Sequence, residues 1–204
     1  METLHYYSTL VNPALSGGRV RVQLNDFIDQ VSRPLGSEED WFPSREGDWV
    51  ILSDGSYGQV QLQTPEHVRL QLIGGSYKLY QTSSYLGQTP RNLSRGFTVG
   101  TTFGVDYQHQ AIATQEVPDT FRAAVEEGIR RAGLGDMLES VNAEFKAAGA
   151  SSLDIGIWAT MKGGAGHKFY AIERIMQRAC TETCTAKDWT IPFAQITVHQ
   201  AERG

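Results

Sequence analysis

The segment 161–168, MKGGAGHK, contains the residues best suited to binding an anion. Three glycines and two cationic candidates lie between an apolar run and a helical pattern. Backbone N–H groups at the start of a helix attract phosphate, so the segment is a candidate phosphate loop. A P-loop, however, ends in Gly-Lys-Ser/Thr, and here no hydroxyl residue follows Gly166, His167 and Lys168. The spacing therefore favours a plain connection from a strand to a helix.

The two cysteines, Cys180 and Cys184, are four residues apart in a helical pattern, so both lie on one face of the helix. A structural zinc site needs four ligands, and the five histidines are scattered along the chain. We therefore expect buried, reduced thiols and neither a bound metal nor a cofactor.

No residues are spaced for nucleophilic or acid–base catalysis. Asp106 and His109 flank a predicted loop and His167 begins a predicted helix, but the pattern offers no third residue that would orient them. We therefore expect no catalytic residues and a protein that is not an enzyme.

Length and charge exclude several classes of protein. The 204 residues can form one large or two small domains. The net charge is −5 and the basic residues form no stripe, so nucleic-acid binding is not expected. No run approaches the roughly 18 to 20 apolar residues that cross a bilayer, and the N-terminus lacks a secretory pattern. The sequence predicts a soluble chain whose residues 1–42 form an N-terminal arm.

Short alternating segments separated by glycine begin at residue 43. They predict four strands, near Val50, Val60, Val68 and Tyr77. Asp54-Gly55 and Gly74-Gly75 are turn signals between these strands, because glycine accepts the positive φ of tight hairpins. So many short strands in about fifty residues are typical of a small, strongly bent barrel.

Longer, mixed elements follow Gly96. The pattern predicts a strand from Phe97, a helix opened by Pro118 and Asp119, a strand from Leu153, a helix from Phe169 and a last strand at Ile196 and Val198. Segment 138–149 suits either a helix or a strand. If it is a strand, the order is strand, helix, strand, strand, helix, strand, which is the ferredoxin-like arrangement of an α+β protein.

Six short motifs then occur in the order of one family. They are GDWV at 47–50, GQV at 58–60, HVRL at 67–70, NLSR at 92–95, GASSLDIGIW at 149–158 and IPFAQITV at 191–198. In these motifs the chain resembles the cytoplasmic region of small-conductance mechanosensitive channels, the MscS family. The residues on which we base this resemblance are Gly47, Asp48, Gly58, Val60, Arg69, Asn92, Ser94, Arg95, Gly149, Ser151, Ser152 and Pro192.

The resemblance implies an Sm-like β-barrel domain over 43–96 and a ferredoxin-like α/β domain over 97–204, with no catalytic residues. It also implies a homo-oligomer, a heptamer in that family, which forms a cage beneath a tension-gated pore on the cytoplasmic side of the inner membrane. Such channels conduct ions under osmotic stress. The family's pore helix is replaced here by the acidic VSRPLGSEEDWFPSRE, so we expect contact with a membrane only through a segment absent from this chain.

The alternative is a soluble relative of the channel whose barrel binds nucleic acid or protein. RNA sites require basic grooves and exposed aromatic side chains. The predicted barrel has five cationic and four anionic residues, and this net charge of +1 is too small to favour RNA.

Overall fold

The structure is a computed structural model and describes residues 42–192. The predicted strand at Ile196 and Val198 and nearly all of the predicted N-terminal arm lie outside the described residues. Contacts within the chain separate two units, which divide between Arg91 and Asn92. In the described residues, each unit combines α-helical structure with an antiparallel sheet. The domain limits 1–42, 43–96 and 97–204 stay predictions.

From residue 42 onward, the first unit is a five-stranded sheet with one short helix. Its elements are β1 (Trp49–Ile51), β2 (Tyr57–Gln63), β3 (His67–Leu72), β4 (Tyr77–Gln81), α1 (Thr82–Gly87) and β5 (Arg91–Asn92). The strand order is β4-β3-β2-β1-β5, so β4 and β5 are the edges. The four predicted strands are confirmed. Helix α1 is absent from the sequence prediction, because six residues with only Thr82 and Tyr85 buried show no helical period.

Most of the core of this unit comes from alternate strand residues, and Phe42, Leu52 and Tyr85 complete it. The core side chains are Phe42, Val50, Leu52, Val60, Val68, Leu70, Tyr80 and Tyr85. The predicted hairpin turns are confirmed, since Gly55 and Gly74 have φ values of 81° and 95°. Residues other than glycine rarely adopt this backbone conformation.

The second unit packs two helices with a three-stranded sheet. Its elements are β6 (Phe97–Val105), α2 (Glu116–Arg131), β7 (Leu138–Ala148), β8 (Leu153–Met161) and α3 (Phe169–Lys187). Three 3-10 helices span Tyr107–His109, Gly135–Met137 and Gly163–Lys168. The sheet order is β6-β8-β7. The strand interpretation of 138–149 is therefore confirmed, and α2 begins two residues before Pro118.

Periodicity places the core of the second unit on one face of the sheet. Alternate residues of β8 are buried, namely Leu153, Ile155, Ile157, Ala159 and Met161. Phe121, Val125 and Ile129 are buried on α2, and Ile172 and Met176 on α3. Helix α2 packs against β7 and α3, and α3 packs against β6.

Candidate functional site

The glycine-rich segment 161–168 connects β8 to α3, as its spacing predicts. Its tightest contact is made by Gly163, which lies against the backbone of the NLSR segment. A Cβ atom on Gly163 would be 1.7 Å from the carbonyl oxygen of Ser94 and 3.0 Å from the nitrogen of Arg95. Only glycine fits so close an approach, because real Cβ atoms stay at least about 3 Å from backbone atoms.

The polar groups of this connection bind other parts of the second unit. Lys162 Nζ donates to the carbonyl oxygen of Asp136 at 2.9 Å, and the Lys162 amide donates to that of Met137 at 2.8 Å. Residues Ala165 and Gly166 are buried. The connection therefore has a packing role that accounts for Lys162, Gly163 and Gly166 without a phosphate ligand.

The NLSR segment is held by local hydrogen bonds. The Ser94 amide donates to Asn92 Oδ1 at 2.8 Å, and the Gly96 amide donates to the carbonyl oxygen of Leu93 at 3.3 Å. Leu93 is fully buried. The structure thus brings Asn92, Ser94 and Arg95 next to the glycine-rich connection, a contact that no local sequence pattern predicts.

Gly47, Asp48 and Val60 join the start of β1 to β2. The Gly47 amide donates to the carbonyl oxygen of Val60, and the Val60 amide donates to that of Asp48, both at 2.8 Å. The Asp48 carboxylate also accepts from the Arg45 amide at 2.8 Å. Gly47 and Asp48 therefore lie just before β1 and extend its pairing with β2 as far as Val60.

Gly58 and Arg69 lie elsewhere on the same sheet. A Cβ atom on Gly58 would be 2.4 Å from the carbonyl oxygen of Gln71, so β2 and β3 approach too closely for a side chain there. The Arg69 guanidinium lies 5.3 Å from the centre of the Tyr77 ring, a cation–π distance. Neither residue lies in a cluster that could perform chemistry.

The GASS segment forms the turn between β7 and β8. The Gly149 amide donates to the carbonyl oxygen of Ser152 at 2.7 Å, and Ser152 Oγ donates to Asp154 at 2.6 Å. Ser151 is exposed in this turn. Pro192 Cγ would be 3.5 Å from a Cβ atom on Gly104. Roles for these motif residues beyond local structure stay predictions.

His109 lies among several hydrogen bonds that the sequence pattern does not predict. The Thr190 amide donates to His109 Nε2 at 2.8 Å, and the Asp106 amide donates to the carbonyl oxygen of Thr190 at 3.0 Å. The Gln108 amide donates to Asp106 Oδ1 at 2.9 Å. His109 is thus oriented by a residue 81 positions later in the chain, which periodicity could not identify.

Buried polar groups fix the residues that precede β1. Ser44 Oγ donates to Gln63 Oε1 at 2.8 Å and lies 2.7 Å from the Tyr85 hydroxyl. Gln63 Nε2 donates to the carbonyl oxygen of Ser44 at 2.8 Å. Burial raises the pKa of Tyr85 to about 12, so the hydroxyl stays neutral and able to donate.

A charged cluster ties the β1–β2 turn to β4. Lys78 Nζ donates to Asp54 Oδ2 at 2.6 Å, and the Tyr80 hydroxyl donates to the same oxygen at 2.9 Å. Ser56 donates its amide to Asp54 Oδ1 at 2.9 Å. The hydrogen bond from Lys78 holds the pKa of Asp54 well below its usual range, and the same bond raises the pKa of Lys78.

Cys180 and Cys184 are buried free thiols on α3, as predicted. Burial raises the pKa of Cys180 to about 12 and that of Cys184 to about 11, which makes the thiolate rare at neutral pH. Within residues 42–192, no group of three His, Cys, Asp or Glu side chains could hold a metal ion.

A groove of about 220 Å³ lies between α2 and α3. The two helices approach closely at Gly128, where a Cβ atom would be 3.4 Å from that of Ala179. Its charged residues Arg131, Arg178 and Glu182 are exposed, and Arg131 is within 3.6 Å of Glu127. We interpret the groove as a hydrated helix surface.

Comparison with known proteins finds the fold but no close sequence relative. No protein-family model and no curated protein matches the sequence. The crystal structure of Helicobacter pylori MscS in a closed state matches with a TM-score of 0.58 at 17% identity, over 100% of this chain and 74% of that one. The cryo-EM structure of Arabidopsis thaliana MSL1 A320V matches with a TM-score of 0.49 at 14% identity, over 94% of this chain and 70% of that one.

The chain therefore has the MscS-family channel fold, a mixture of helices and antiparallel sheets similar to the cytoplasmic part of MscS. This confirms the family resemblance at the level of fold. The structure contains no helix within residues 42–192 that is long and apolar enough to cross a membrane.

Proposed function

We propose that this chain is a vestibule module of an MscS-type mechanosensitive channel. In this role, several copies form a cage on the cytoplasmic side of the inner membrane, below a pore supplied by a segment absent from this chain. The module filters and supports rather than catalyses, and it acts during ion flow under osmotic stress. Copies with a net charge of −5 each would form a negative cage that attracts cations.

The proposal extends to the details of the two units. The sheet order β4-β3-β2-β1-β5 fits an Sm-like barrel, because five short strands with tight turns can bend into one. In the second unit, the order β6-β8-β7 with α2 and α3 fits a ferredoxin-like domain that lacks only its last strand within the described residues.

The observation that carries the proposal is an apolar edge on the first sheet. Ile73, Tyr77 and Leu79 are 60%, 59% and 63% exposed, the highest fractions among the exposed large hydrophobic side chains of residues 42–192. Tyr77 and Leu79 lie on β4, which is an edge strand, and Ile73 lies in the turn before it. Exposed apolar edges promote pairing with another chain, and proteins usually protect them with charge.

The sheet geometry suggests how copies would join. The edges β4 and β5 differ in sequence and length, so pairing the β4 edge of one copy with a different edge of the next gives a head-to-tail contact. Head-to-tail contacts form a ring when the rotation closes. A ring of identical modules is the assembly that a vestibule requires.

Trp158 is a second candidate contact, on the second unit. Its indole lies flat over two glycines, because Cβ atoms on Gly156 and Gly100 would be 2.5 Å and 2.9 Å from ring atoms. The ring is 36% exposed on the face of β8 opposite the buried residues. Exposed tryptophans often supply much of the binding energy of an interface.

Native mass spectrometry and light scattering on the whole chain test this proposal. We expect a closed oligomer, with a heptamer at seven times the 22.6 kDa chain mass. Leu79→Glu places a charge in the apolar edge. It should raise the dissociation constant of the oligomer at least tenfold and so shift the population to monomers. Trp158→Ala should also weaken the assembly.

Gln81→Glu is the matched control, since it adds the same charge at an exposed position of the same strand, two residues beyond Leu79 and outside the set Ile73, Tyr77 and Leu79. It should leave the mass unchanged. A wild-type chain that stays monomeric at all concentrations, or an oligomer indifferent to Leu79→Glu and Trp158→Ala, would refute the proposal.

A further inference from the structure

A buried polar network fastens the residues that precede β1 to the first unit. Ser44 and Gln63 are both fully buried. Ser44 Oγ donates to Gln63 Oε1, and Gln63 Nε2 donates to the carbonyl oxygen of Ser44, each at 2.8 Å. Because Ser44 gives its one hydroxyl proton to Gln63, the Tyr85 hydroxyl donates to Ser44 Oγ, at 2.7 Å. Ser44 is thus bonded both to the end of β2 and to helix α1.

Further contacts hold the chain on both sides of Ser44. On one side, the Phe42 ring is 2% exposed and stacks on Tyr85, with ring centres 6.1 Å apart and planes inclined by 7°. On the other side, Glu46 Oε1 accepts from the Gln63 amide at 2.9 Å. These residues, here termed the 42–46 segment, are therefore held at both ends and in the middle.

Lifting the 42–46 segment off the sheet would break the whole network at once. The side-chain amide of Gln63 would lose both of its partners, the hydroxyl and the carbonyl oxygen of Ser44. A buried polar group without a partner is unfavourable, because it has given up water and gained no bond in return. In the native fold, every buried side-chain nitrogen and oxygen of residues 42–192 has a partner. The segment and the sheet therefore open together more readily than the segment opens alone.

We propose that the Ser44–Gln63–Tyr85 network is a mechanical anchor, through which the 42–46 segment opens only together with the first sheet. A displacement of the chain before residue 42 is then not absorbed at this segment, because peeling it away leaves Gln63 without partners. The displacement is carried into β2 and α1 instead. In the vestibule module proposed above, the anchor passes movements of the preceding chain to the sheet. That use rests on the proposed function, whereas the anchor itself does not.

Hydrogen exchange measured by NMR on the whole ¹⁵N-labelled chain tests the anchor. Two amides report on the segment, that of Gly47, which donates to the carbonyl oxygen of Val60, and that of Gln63, which donates to Glu46. In wild type, both should be as protected as the slowest amides of β2 and β3, because all of them exchange through one shared opening.

Ser44→Ala removes the hydroxyl that Gln63 and Tyr85 share. The Gly47 and Gln63 amides should then exchange roughly tenfold or more faster relative to the slowest amides of β2 and β3, because the segment now opens alone. A general loss of stability would accelerate all of these amides by the same factor, so the ratio isolates the anchor. Tyr85→Phe keeps the ring that stacks on Phe42 and removes only its hydroxyl. It should change the ratio in the same direction, and it decides the test if Ser44→Ala does not fold.

Ser53→Ala is the matched control, since it makes the same substitution in the same unit. Ser53 Oγ also donates to a glutamine, Gln88, at 2.7 Å, but this bond is exposed and lies outside the network. The ratio should stay at its wild-type value. A wild-type segment that exchanges well before the sheet would overturn the proposal, as would an unchanged ratio in Ser44→Ala and Tyr85→Phe. A monomeric chain would refute the vestibule and leave the exchange result as it stands.

Discussion

Replacing Gly163 by alanine should destabilise the second unit, although the change adds a single methyl group. The new Cβ atom would lie 1.7 Å from the Ser94 carbonyl oxygen and 2.2 Å from its carbon. Relief requires a separation of more than 1 Å between two backbones. The Ser94 side cannot yield easily, because Asn92 Oδ1 and the Leu93 carbonyl oxygen hold this segment by hydrogen bonds.

Overpacking by one methyl group usually costs about 1 to 3 kcal/mol, and a contact with fixed backbone belongs at the upper end. We therefore expect Gly163→Ala to lower the free energy of unfolding by about 3 kcal/mol. If the second unit melts cooperatively, this corresponds to a fall in its melting temperature of about 10 °C. Thermal unfolding followed by tryptophan fluorescence and circular dichroism measures the shift.

Gly164→Ala is the matched control, one residue away in the same 3-10 helix. Its Cβ atom would meet only the Met137 side chain, with Sδ at 3.2 Å, and a flexible thioether can move. Its effect should be less than about 1 kcal/mol, partly offset by the lower entropy of the unfolded chain. Equal stability of the two variants would refute the packing role, and phosphate binding that only Gly163→Ala abolishes would restore the phosphate-loop interpretation.

Three further predictions concern titratable groups. The folded pKa of Tyr85 is about 12 against about 10 when unfolded, so its stabilisation is complete below pH 10 and is lost as the pH rises. The urea-derived stability should therefore fall between pH 8 and 11 by about 1.4 kcal/mol more in wild type than in Tyr85→Phe. Cys180 and Cys184 should resist alkylation by iodoacetamide at pH 8 in the folded chain and react once urea unfolds it, and prompt labelling of folded protein would contradict their burial. Because the pKa of Asp54 is held low by Lys78, Asp54→Asn should reduce stability at pH 7, and the difference from wild type should begin to shrink below about pH 4 and be lost only at the much lower folded pKa.

Hydrophobic periodicity predicted most of the elements, since burial on one face imposes a period of two on strands and 3.6 on helices. The alternation from Leu153 to Met161 and the spacing of Phe121, Val125 and Ile129 are direct results of this rule. Segment 138–149 was ambiguous for a physical reason. As an edge strand it has only Val141 buried, so neither period is strongly imposed on its sequence.

Two long-range contacts of the second unit could not be predicted from local sequence pattern. Gly163 contacts Ser94, which lies 69 positions earlier in the chain, and His109 contacts Thr190, which lies 81 positions later. Each contact depends on backbone atoms, whose chemistry is the same at every residue and which therefore leave no signature in side-chain type. The exposure of the β4 edge could not be predicted either, because Tyr77 and Leu79 are residue types typical of a buried strand.

These long-range contacts explain why the sequence of a glycine-rich connection can resemble that of a ligand site. A phosphate loop and the 161–168 segment both need glycine so that another group can approach the backbone closely. In a phosphate loop that group is an anion, whereas here it is the carbonyl oxygen of Ser94. Exposed apolar surface lies instead at the apolar β4 edge and at Trp158, where side chains of types that are usually buried remain exposed. In the vestibule proposed above, these two places are where the copies would contact one another.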